Sequence, residues 1–346
     1  MAGADDNSGA VGAAAGAPGH DAVVLVTGGA GFIGSHLVDA LLRLGHRVVV
    51  LDDLSTGSID NLDTDHRHLR VVRGDVTNAE DCAGAVRGVT AVVHLAAMSK
   101  VAPSLESPAM AEFCQAVNVS GTMNMLQAAS RAGSVRKFVY AGSSTCYGNS
   151  PTPQAETQLP DLITPYAASK YQGEILTQMF ARVYGLPTCV LRFFMVYGPR
   201  QPVSGAYATV NGVFLKQALE GGPLTVQGSG QQSRDFIHVA DVAGAILAAL
   251  RADGAGLKGQ SINVGSGQAH SVAEVAAIVG EEMARCTGRP QPDTQHVERR
   301  RFDMDATLAA TTLAEGTLGW RAAIGFEEGM REWVRREVER RQRAGV

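Results

Sequence analysis

The sequence predicts an α/β fold in which a doubly wound parallel sheet carries a smaller second lobe. Short apolar runs of strand length alternate with helix-length segments up to Tyr197, which is typical of a parallel sheet covered by helices on both faces. After Tyr197 the chain changes to turns rich in glycine, proline and glutamine. With 346 residues and 45% hydrophobic content, it can bury one large core and a second, smaller one.

The first predicted elements are a strand, a glycine loop, a helix and a second strand. The run AVVLV begins at Ala22, and the run RVVVLD ends at Asp52. Between them, Leu37, Leu41 and Leu44 recur at helical spacing and predict one buried helix face. Further strands are predicted at residues 69–74, 91–96, 137–142 and 188–194, with long helices at residues 112–132 and 165–184.

The second lobe is predicted to be discontinuous in sequence. A helix is expected at residues 210–220, whereas the apolar stretches at residues 236–250 and 261–264 are expected to return to the sheet domain. The predicted division is a disordered tail at residues 1–20, a sheet domain of residues 21–196 plus about 236–265, and a lobe of about 197–235 plus 266–340.

Composition excludes several classes of function. The net charge of −4 comes without long runs of one sign, so we expect neither nucleic acid nor an anionic membrane as a partner. No apolar stretch is long enough for a membrane span, and the first twenty residues lack the features of a signal peptide. Five scattered cysteines without CxxC spacing suit a reducing compartment, so a cytoplasmic protein is expected. The acids and histidines at residues 63–68 lie in a polar loop, and no metal site is predicted.

Tyr166 and Lys170 are one helical turn apart in the stretch TPYAASK. On a helix that begins near Pro165, both side chains project from one face, so the lysine charge is expected to lower the pKa of the tyrosine. Tyr166 is therefore a candidate general base. Alone, this pattern is more often a buried tyrosine beside a surface lysine, and other motifs must decide between the two interpretations.

A glycine loop follows the first strand, with Gly28, Gly31 and Gly34 in a GxxGxxG pattern. Backbone without side chains can approach a pyrophosphate, and the next helix presents free N–H groups to it. Asp52 closes the second strand eighteen residues after Gly34, where it can accept hydrogen bonds from an adenosine ribose. Its charge would repel a 2′-phosphate, so the pattern predicts a Rossmann fold that binds NAD rather than NADP. The alternative is a loop that serves only packing, followed by an acid that begins a turn.

With these motifs in place, the chain resembles the extended short-chain dehydrogenase/reductases, and among them the nucleotide-sugar epimerase and dehydratase family. The resemblance runs from about Val23 to Trp320. Nine motifs stand in order: TGGAGFIG, LDDLSTG, GDV, HLAA, NVSGT, GSSTCYG, YAASK, LRFFMVYGPR and RDFIHVADV. The resemblance also implies a homodimer formed by the helices at residues 112–132 and 165–184.

The resemblance implies that Ser143, Tyr166 and Lys170 are catalytic. Tyr166 would take the proton of a sugar hydroxyl, usually at C4, while hydride passes to tightly bound NAD, and the 4-keto sugar would turn before hydride returns. Ser143 would hold the reacting oxygen, and Lys170 would bond the nicotinamide ribose. The expected cofactor contacts are Gly28, Gly31, Phe32, Ile33, Gly34, Asp52, Asp53, Ser55, Thr56, Gly57, Asp75, Val76, Leu95, Ala96, Ala97, Asn118, Tyr166, Lys170, Phe193 and Val196. The expected contacts to the nucleotide diphosphate sugar are Lys100, Ser143, Ser144, Thr145, Met195, Tyr207, Thr209, Val210, Arg234 and Arg300.

The residues after Ser143 favour one reaction of this family. Members that eliminate water carry an Asp-Glu pair at the next two positions, and decarboxylating members keep the glutamate, whereas this chain has Ser144 and Thr145. Hydroxyls of ordinary pKa are poor acids and bases, so epimerisation at C4 is favoured. The alternatives are a dehydratase, a decarboxylase or a 5-epimerase that uses Cys146 or Glu156, and a regulator that binds NAD without turnover.

Departures from the family pattern leave the substrate pocket open. Met195 stands where an asparagine is common, and it either packs or reshapes the pocket for an unusual sugar. Tyr207 either touches the sugar or packs within the lobe. Arg300 either assists Arg234 at the diphosphate or lies in a solvated basic turn. His94 ends an apolar run and is expected to be a structural histidine.

Overall fold

The computed structural model describes residues 22–99, 101–203, 208–253, 257–299 and 302–344. Within these ranges, the strands of the central sheet are β1 Val23–Thr27, β2 Arg47–Asp52, β3 Leu69–Arg73, β4 Ala91–His94, β5 Lys137–Ser143, β6 Thr188–Phe193 and β10 Ser261–Val264. They lie in the order β3-β2-β1-β4-β5-β6-β10, and all the pairings are parallel. This order is that of a Rossmann fold, so the predicted fold class is confirmed.

Helices cover both faces of the sheet. One face carries α1 Phe32–Arg43 and α8 Val239–Arg251, and the other carries α2 Ala79–Ala85, α5 Gly121–Ala132 and α6 Pro165–Tyr184. Successive strand residues point to opposite faces of the sheet. Val24 therefore packs in the core beneath α1 and α8, and Leu25 in the core beneath α2, α5 and α6. Burial on both faces explains why the strands are continuous apolar runs.

Local signals delimit helix α6, which carries Tyr166 and Lys170. The Thr164 side chain accepts a hydrogen bond from the Ala167 amide at the N-terminus, and Pro165 occupies the first helical turn. Gly185 ends the helix with φ +67°, a conformation that favours glycine. These caps fix where on the helix each side chain projects.

The second lobe has its own core and its own small sheets. One sheet contains β7 Met195–Tyr197, β9 Ser233–His238 and β11 Ala269–Ser271, and another pairs β8 Leu224–Gln227 with β12 Thr294–Val297. Phe214, Phe236 and Met330 are buried in the lobe's core, which is built from α7 Val210–Glu220, α9 Val272–Thr287 and α11 Phe326–Ala344. The other helices of the described ranges are α3 Val101–Ser104, α4 Pro108–Gln115 and α10 Thr312–Leu318.

Some local predictions differ from the structure. Leu44 lies beyond the end of α1 and is 48% exposed, so it does not extend the buried helix face. The helix predicted at residues 112–132 is divided by a π-helical turn at Ala116–Ser120. The stretch at residues 236–250 adds a helix to the central sheet, but its first part belongs to β9, which pairs with β7 and β11.

No helix in the described ranges is long and apolar enough to cross a bilayer. All five cysteines are free thiols, and four of them are buried. The tail predicted at residues 1–20 lies outside the described residues.

Candidate active site

Glycines let the loop after β1 fold tightly against neighbouring backbone. Gly28 has φ +68°, which favours glycine, and a Cβ there would lie 2.8 Å from the Ala96 amide nitrogen. A Cβ at Gly34 would overlap the Gly28 carbonyl oxygen. Among the described atoms, a Cβ at Gly31 would meet that oxygen alone, at 3.2 Å. The loop is therefore closed towards the sheet and open to a ligand at Gly31.

Asp52 joins this loop to the end of β2. Its carboxylate accepts hydrogen bonds from the Ala30 and Leu54 amides, both at 2.9 Å, and the residue is 7% exposed. Burial raises the pKa of the carboxyl, and the two amide bonds oppose that change. Each oxygen keeps a lone pair for a ribose hydroxyl. The first turn of α1 has no acid and no side-chain cap, so its N–H groups suit a pyrophosphate. These features fit NAD.

The other expected cofactor contacts follow the carboxyl ends of the strands or lie on nearby elements. Asp53 accepts hydrogen bonds from the Ser55 amide at 2.9 Å and hydroxyl at 2.7 Å, and Gly57 packs against the glycine loop. After β3, Val76 is buried, and Asp75 accepts the amide of the second following residue at 2.8 Å. The rest are Phe32 and Ile33 in α1, Thr56 after β2, Leu95, Ala96 and Ala97 after β4, Phe193 in β6 and Val196 in β7.

A hydrogen-bond chain fixes the end of β1 against β4 and α5. Thr27 Oγ1 bonds His94 Nδ1 at 2.7 Å and accepts the two amides that follow His94, each at 3.1 Å. His94 Nε2 bonds Thr122 Oγ1 at 3.1 Å, and that hydroxyl donates to the Asn118 carbonyl at 2.7 Å. The chain is consistent with a proton on Nε2. Burial lowers the pKa of His94 to about 3, and the Lys170 charge acts in the same direction.

His94 is therefore a neutral, hydrogen-bonded structural histidine, as the sequence predicts. Sequence reasoning missed Thr27 and Thr122, its two side-chain partners. A threonine in a strand or a helix carries no distinguishing pattern, and the partners are 67 and 28 residues from His94. Only the packing of β1 and α5 beside β4 brings them together.

Asn118 lies in the π-helical turn and connects β4 to α6. Its Oδ1 accepts the Met98 amide at 2.8 Å, and its Nδ2 donates to the Met98 carbonyl at 3.0 Å. Nδ2 also lies 2.9 Å from Ser169 Oγ, which in turn donates to the Tyr166 carbonyl at 2.9 Å. Such π turns are frequent at functional sites. The expected contact of Asn118 with the cofactor stays a prediction.

Ser143, at the end of β5, lies between Thr145 and Tyr166. Its Oγ is 2.9 Å from Thr145 Oγ1 and accepts the Thr145 amide at 3.3 Å. The Ser143 side chain also lies close enough to the Tyr166 phenol to act on its pKa, in the lowering direction. Ser144 is 8% exposed in the turn that follows. The structure thus brings the predicted serine and tyrosine close together from two separate elements.

The electrostatics of Tyr166 and Lys170 differ from the sequence expectation. Burial raises the pKa of Tyr166 to about 12, and the hydrogen bond with Ser143 opposes the rise. Burial lowers the pKa of Lys170 to about 7, against the influence of Cys114 and Glu174. The expectation that the tyrosine pKa is lowered is wrong here, because burial removes the phenol from water and dominates its pKa.

Arg234 is 5% exposed and bonded to the segment that follows β12. Its Nη2 donates to Asp303 Oδ1 at 2.5 Å and to the Met304 carbonyl at 2.8 Å, and its Nη1 donates to the Ser233 carbonyl at 2.7 Å. Burial lowers the pKa of the guanidinium, and Asp303 opposes that change. Sequence reasoning missed Asp303, since nothing in the run RRRFD links it to an arginine 69 residues earlier. The role of Arg234 at a diphosphate stays a prediction.

The other expected sugar contacts lie near the second lobe or outside the described residues. Met195 pairs with Phe236 across β7 and β9 and packs against the lobe's core. Thr209 bonds the Asn211 side chain at 2.6 Å, and Val210 begins α7. Three expected contacts lie outside the described residues: Lys100, Tyr207 and Arg300.

Residues 24–265 match the model of the NAD dependent epimerase/dehydratase family. The chain is 36% identical to the UDP-glucose 4-epimerase of Mycolicibacterium smegmatis over 316 residues, and these residues cover 90% of this chain and 96% of that protein. The solved UDP-N-acetylglucosamine 4-epimerase of Methanobrevibacter ruminantium, in complex with UDP-N-acetylmuramic acid, has a TM-score of 0.84 and 30% identity, over 92% of this chain and 99% of that one. The Thermus thermophilus UDP-glucose 4-epimerase in complex with NAD has a TM-score of 0.78 and 35% identity, over 90% and 97% of the two chains.

Proposed function

Because the chain belongs to the NAD dependent epimerase/dehydratase family, we propose that it interconverts the C4 epimers of a nucleotide diphosphate sugar, with tightly bound NAD. The observation that carries this proposal is that Ser143 lies close enough to Tyr166 to act on its pKa, in a site where Ser143 is followed by hydroxyls rather than carboxylates. Such a site can move a proton at one carbinol. At the two positions after Ser143 it carries no carboxylate pair for the elimination of water at a neighbouring carbon.

The proposed reaction uses the catalytic trio, Ser143, Tyr166 and Lys170, in the forward and in the reverse direction. Tyr166 accepts the proton of the C4 hydroxyl, and Ser143 donates a hydrogen bond to the same sugar oxygen. Lys170, which the family resemblance places at the nicotinamide ribose, has a pKa of about 7 and is therefore about half protonated at neutral pH. NAD, when bound, supplies reversible hydride transfer at C4. The 4-keto sugar turns over, and Tyr166 returns the proton on the way back.

The nucleotide end of the substrate is expected at Arg234 and Asp303. An arginine presents a planar, permanently charged fork that suits a diphosphate. The Asp303 carboxylate, 25% exposed and 2.5 Å from Arg234 Nη2, holds that fork in place. The relatives named above are UDP-sugar epimerases by name, so UDP-glucose and UDP-N-acetylglucosamine are the first substrates to test.

The alternative reactions would use Cys146 or Glu156 as acid or base. The first side chain is deeply buried, and the second is hydrogen-bonded to the backbone. Cys146 is 2% exposed, and burial raises the pKa of its thiol to about 12, so it is a poor base for C5. Glu156 Oε1 accepts the Asn263 amide at 2.8 Å, which ties it to the end of the sheet. Neither residue supports a dehydratase, a decarboxylase or a 5-epimerase. A regulator that binds NAD without turnover would not need Ser143 beside Tyr166, because it transfers no proton.

The experiment that tests this function measures epimer formation across a panel of nucleotide diphosphate sugars. The wild type should convert at least one of them, and Tyr166→Phe should lower kcat by about 100-fold or more because it removes the proton acceptor. Tyr184→Phe is the matched control, since Tyr184 lies on the same helix and is 59% exposed. Conversion that survives in Tyr166→Phe, or a wild type that converts no sugar, would refute the proposal.

We also propose a homodimer formed through the helices at residues 112–132 and 165–184. Three large apolar side chains on these helices are exposed: Phe113 at 49%, Ile175 at 47% and Val183 at 64%. A second copy would cover them. Sedimentation at micromolar concentration should give a dimer, and a monomer alone would contradict this.

Two further proposals concern the division of the chain and its location. We propose that residues 21–196 plus about 236–265 bind NAD, and that about 197–235 plus 266–340 bind the nucleotide sugar; the separate core around Phe214 and Met330 supports the second part. We place the protein in the cytoplasm on the basis of its free cysteines. Fractionation of the source cells would test the location.

A further inference from the structure

Glu174 on α6 and Arg192 on β6 form a buried ion pair. Their side chains are 2% and 5% exposed, with Arg192 Nη2 at 2.6 Å from Glu174 Oε1 and Nε at 3.0 Å from Oε2. Ser261 Oγ donates to the same Oε1 at 2.7 Å. Taking two charges out of water is unfavourable, and an apolar pair of similar volume often gives equal or greater stability. The pair therefore needs a reason beyond stability.

Arg192 extends this contact to the turn after Ser143. Its Nη1 lies 2.7 Å from the Tyr147 hydroxyl, which donates to Asn263 Oδ1 at 2.7 Å. Tyr147 ends the short turn Ser144–Tyr147 that directly follows Ser143. The guanidinium thus spans the distance between α6 and the turn that holds the catalytic serine.

Glu174 occupies the same helix as Tyr166 and Lys170, two of the three catalytic residues. It lies one helical turn beyond Lys170, which itself lies one turn beyond Tyr166. We propose that the Glu174–Arg192 pair is a positioning device that fixes α6 against the serine turn and so sets the geometry of the catalytic trio. The proposal rests on the proposed function, because it takes those three residues to be catalytic.

The pair also acts on the charge of Lys170. Glu174 raises the pKa of Lys170 against the dominant effect of burial. The other titratable groups coupled to the ammonium are Cys114 on α4 and His94 on β4, and the ring of Tyr140 on β5 lies 4.4 Å from it. Tyr166 lies one turn earlier on the same helix. Loss of the Glu174 carboxylate is therefore expected to lower the pKa of Lys170 further and to favour the neutral amine.

Three variants of the holoenzyme separate positioning from stability. Glu174→Gln removes the charge and keeps the shape. Glu174→Leu combined with Arg192→Met replaces the ion pair by apolar side chains and is expected to keep the fold. Tyr147→Phe removes the hydroxyl that links Arg192 to the serine turn, together with its hydrogen bond to Asn263. The control is Glu282→Gln in the second lobe, since Glu282 is 1% exposed and paired with Arg285, Arg331 and Arg335.

Both Glu174 variants are expected to lose kcat by about 100-fold with little change in KM, because misplacement of a reacting group by about 1 Å has an effect of this size. Tyr147→Phe should lose kcat without a change in the pKa of Lys170, and Glu282→Gln should keep the wild-type kcat. The pKa is measured by NMR titration of 13C-labelled lysine, which is tractable because the chain has five lysines. It should be lower in Glu174→Gln than in the wild type.

The proposal is overturned if the apolar pair retains the wild-type kcat, or if Lys170 titrates in Glu174→Gln as it does in the wild type. Should Glu174→Gln fail to fold, the apolar pair and Tyr147→Phe still decide the positioning role. A wild type that converts no nucleotide sugar would refute the proposed function instead. In that case the titration of Lys170 still decides whether Glu174 supports its charge.

Discussion

Lys170 Nζ lies 4.4 Å from the centre of the Tyr140 ring, and the Tyr140 hydroxyl donates to the Lys170 carbonyl at 3.1 Å. One fully buried tyrosine of β5 therefore holds both the backbone and the charge of the catalytic lysine. A cation over an aromatic ring gains electrostatic attraction that is strongest when water is excluded. This contact opposes the desolvation that lowers the pKa of Lys170 to about 7.

Replacement of the Tyr140 ring should therefore change the titration of Lys170. Tyr140→Leu is expected to lower the pKa of the lysine, whereas Tyr140→Phe keeps the ring and should leave it nearly unchanged. Lysine NMR titration of the two variants provides the measurement. Identical titrations of Lys170 in both would show that the ring contributes nothing to its charge.

His94 should make the protein less stable in acid. Its folded pKa of about 3 lies below the ordinary value of 6.5, so the unfolded chain binds more protons between these pH values. The contribution of His94 to the free energy of unfolding is fully present above about pH 6.5. Below that pH it falls by up to about 1.4 kcal/mol per pH unit. Urea unfolding at two pH values in that window should show a smaller decrease for His94→Gln than for the wild type. The exposed His296, changed to Gln, is the control and should behave as the wild type.

Gly28→Ala should abolish NAD retention through a steric effect that can be isolated. Gly28 and Gly45 have φ +68° and +82°, so alanine strains the backbone at both, by about 1 kcal/mol. A Cβ at Gly28 would lie 2.8 Å from the Ala96 amide, whereas one at Gly45 would meet nothing described within 4 Å. Denatured Gly45→Ala should release bound NAD as the wild type does, whereas denatured Gly28→Ala should release none. Equal NAD content in both variants would contradict a role for the close packing of this loop.

The succession of strands and helices along the chain of the Rossmann domain could be predicted because it depends on local sequence patterns. The apolar runs near Val24 and Val139 mark buried strands, and the spacing of Gly28, Gly31 and Gly34 marks the loop after the first strand. The same local logic places Tyr166 and Lys170 one turn apart on α6, which begins at Pro165 as expected.

Features that depend on distant contacts could not be predicted in this way. The π turn at Asn118 is accompanied by side-chain bonds to Met98 and Ser169, which are 20 and 51 residues away. The rise in the pKa of Tyr166 depends on burial by the whole fold, which a short motif does not reveal. Asp303 was missed for the same reason, since its partner Arg234 lies on another element.

Epimerisation at C4 by Tyr166 and Ser143 is tested most directly by turnover in heavy water. A nucleotide diphosphate sugar that the wild type converts is incubated to equilibrium in D2O, and both epimers are examined by NMR and mass spectrometry. Because the hydrogen removed from C4 returns to C4 without exchange with solvent, both epimers should carry no carbon-bound deuterium. Deuterium at C5 or C6 would contradict C4 epimerisation and indicate proton abstraction at carbon.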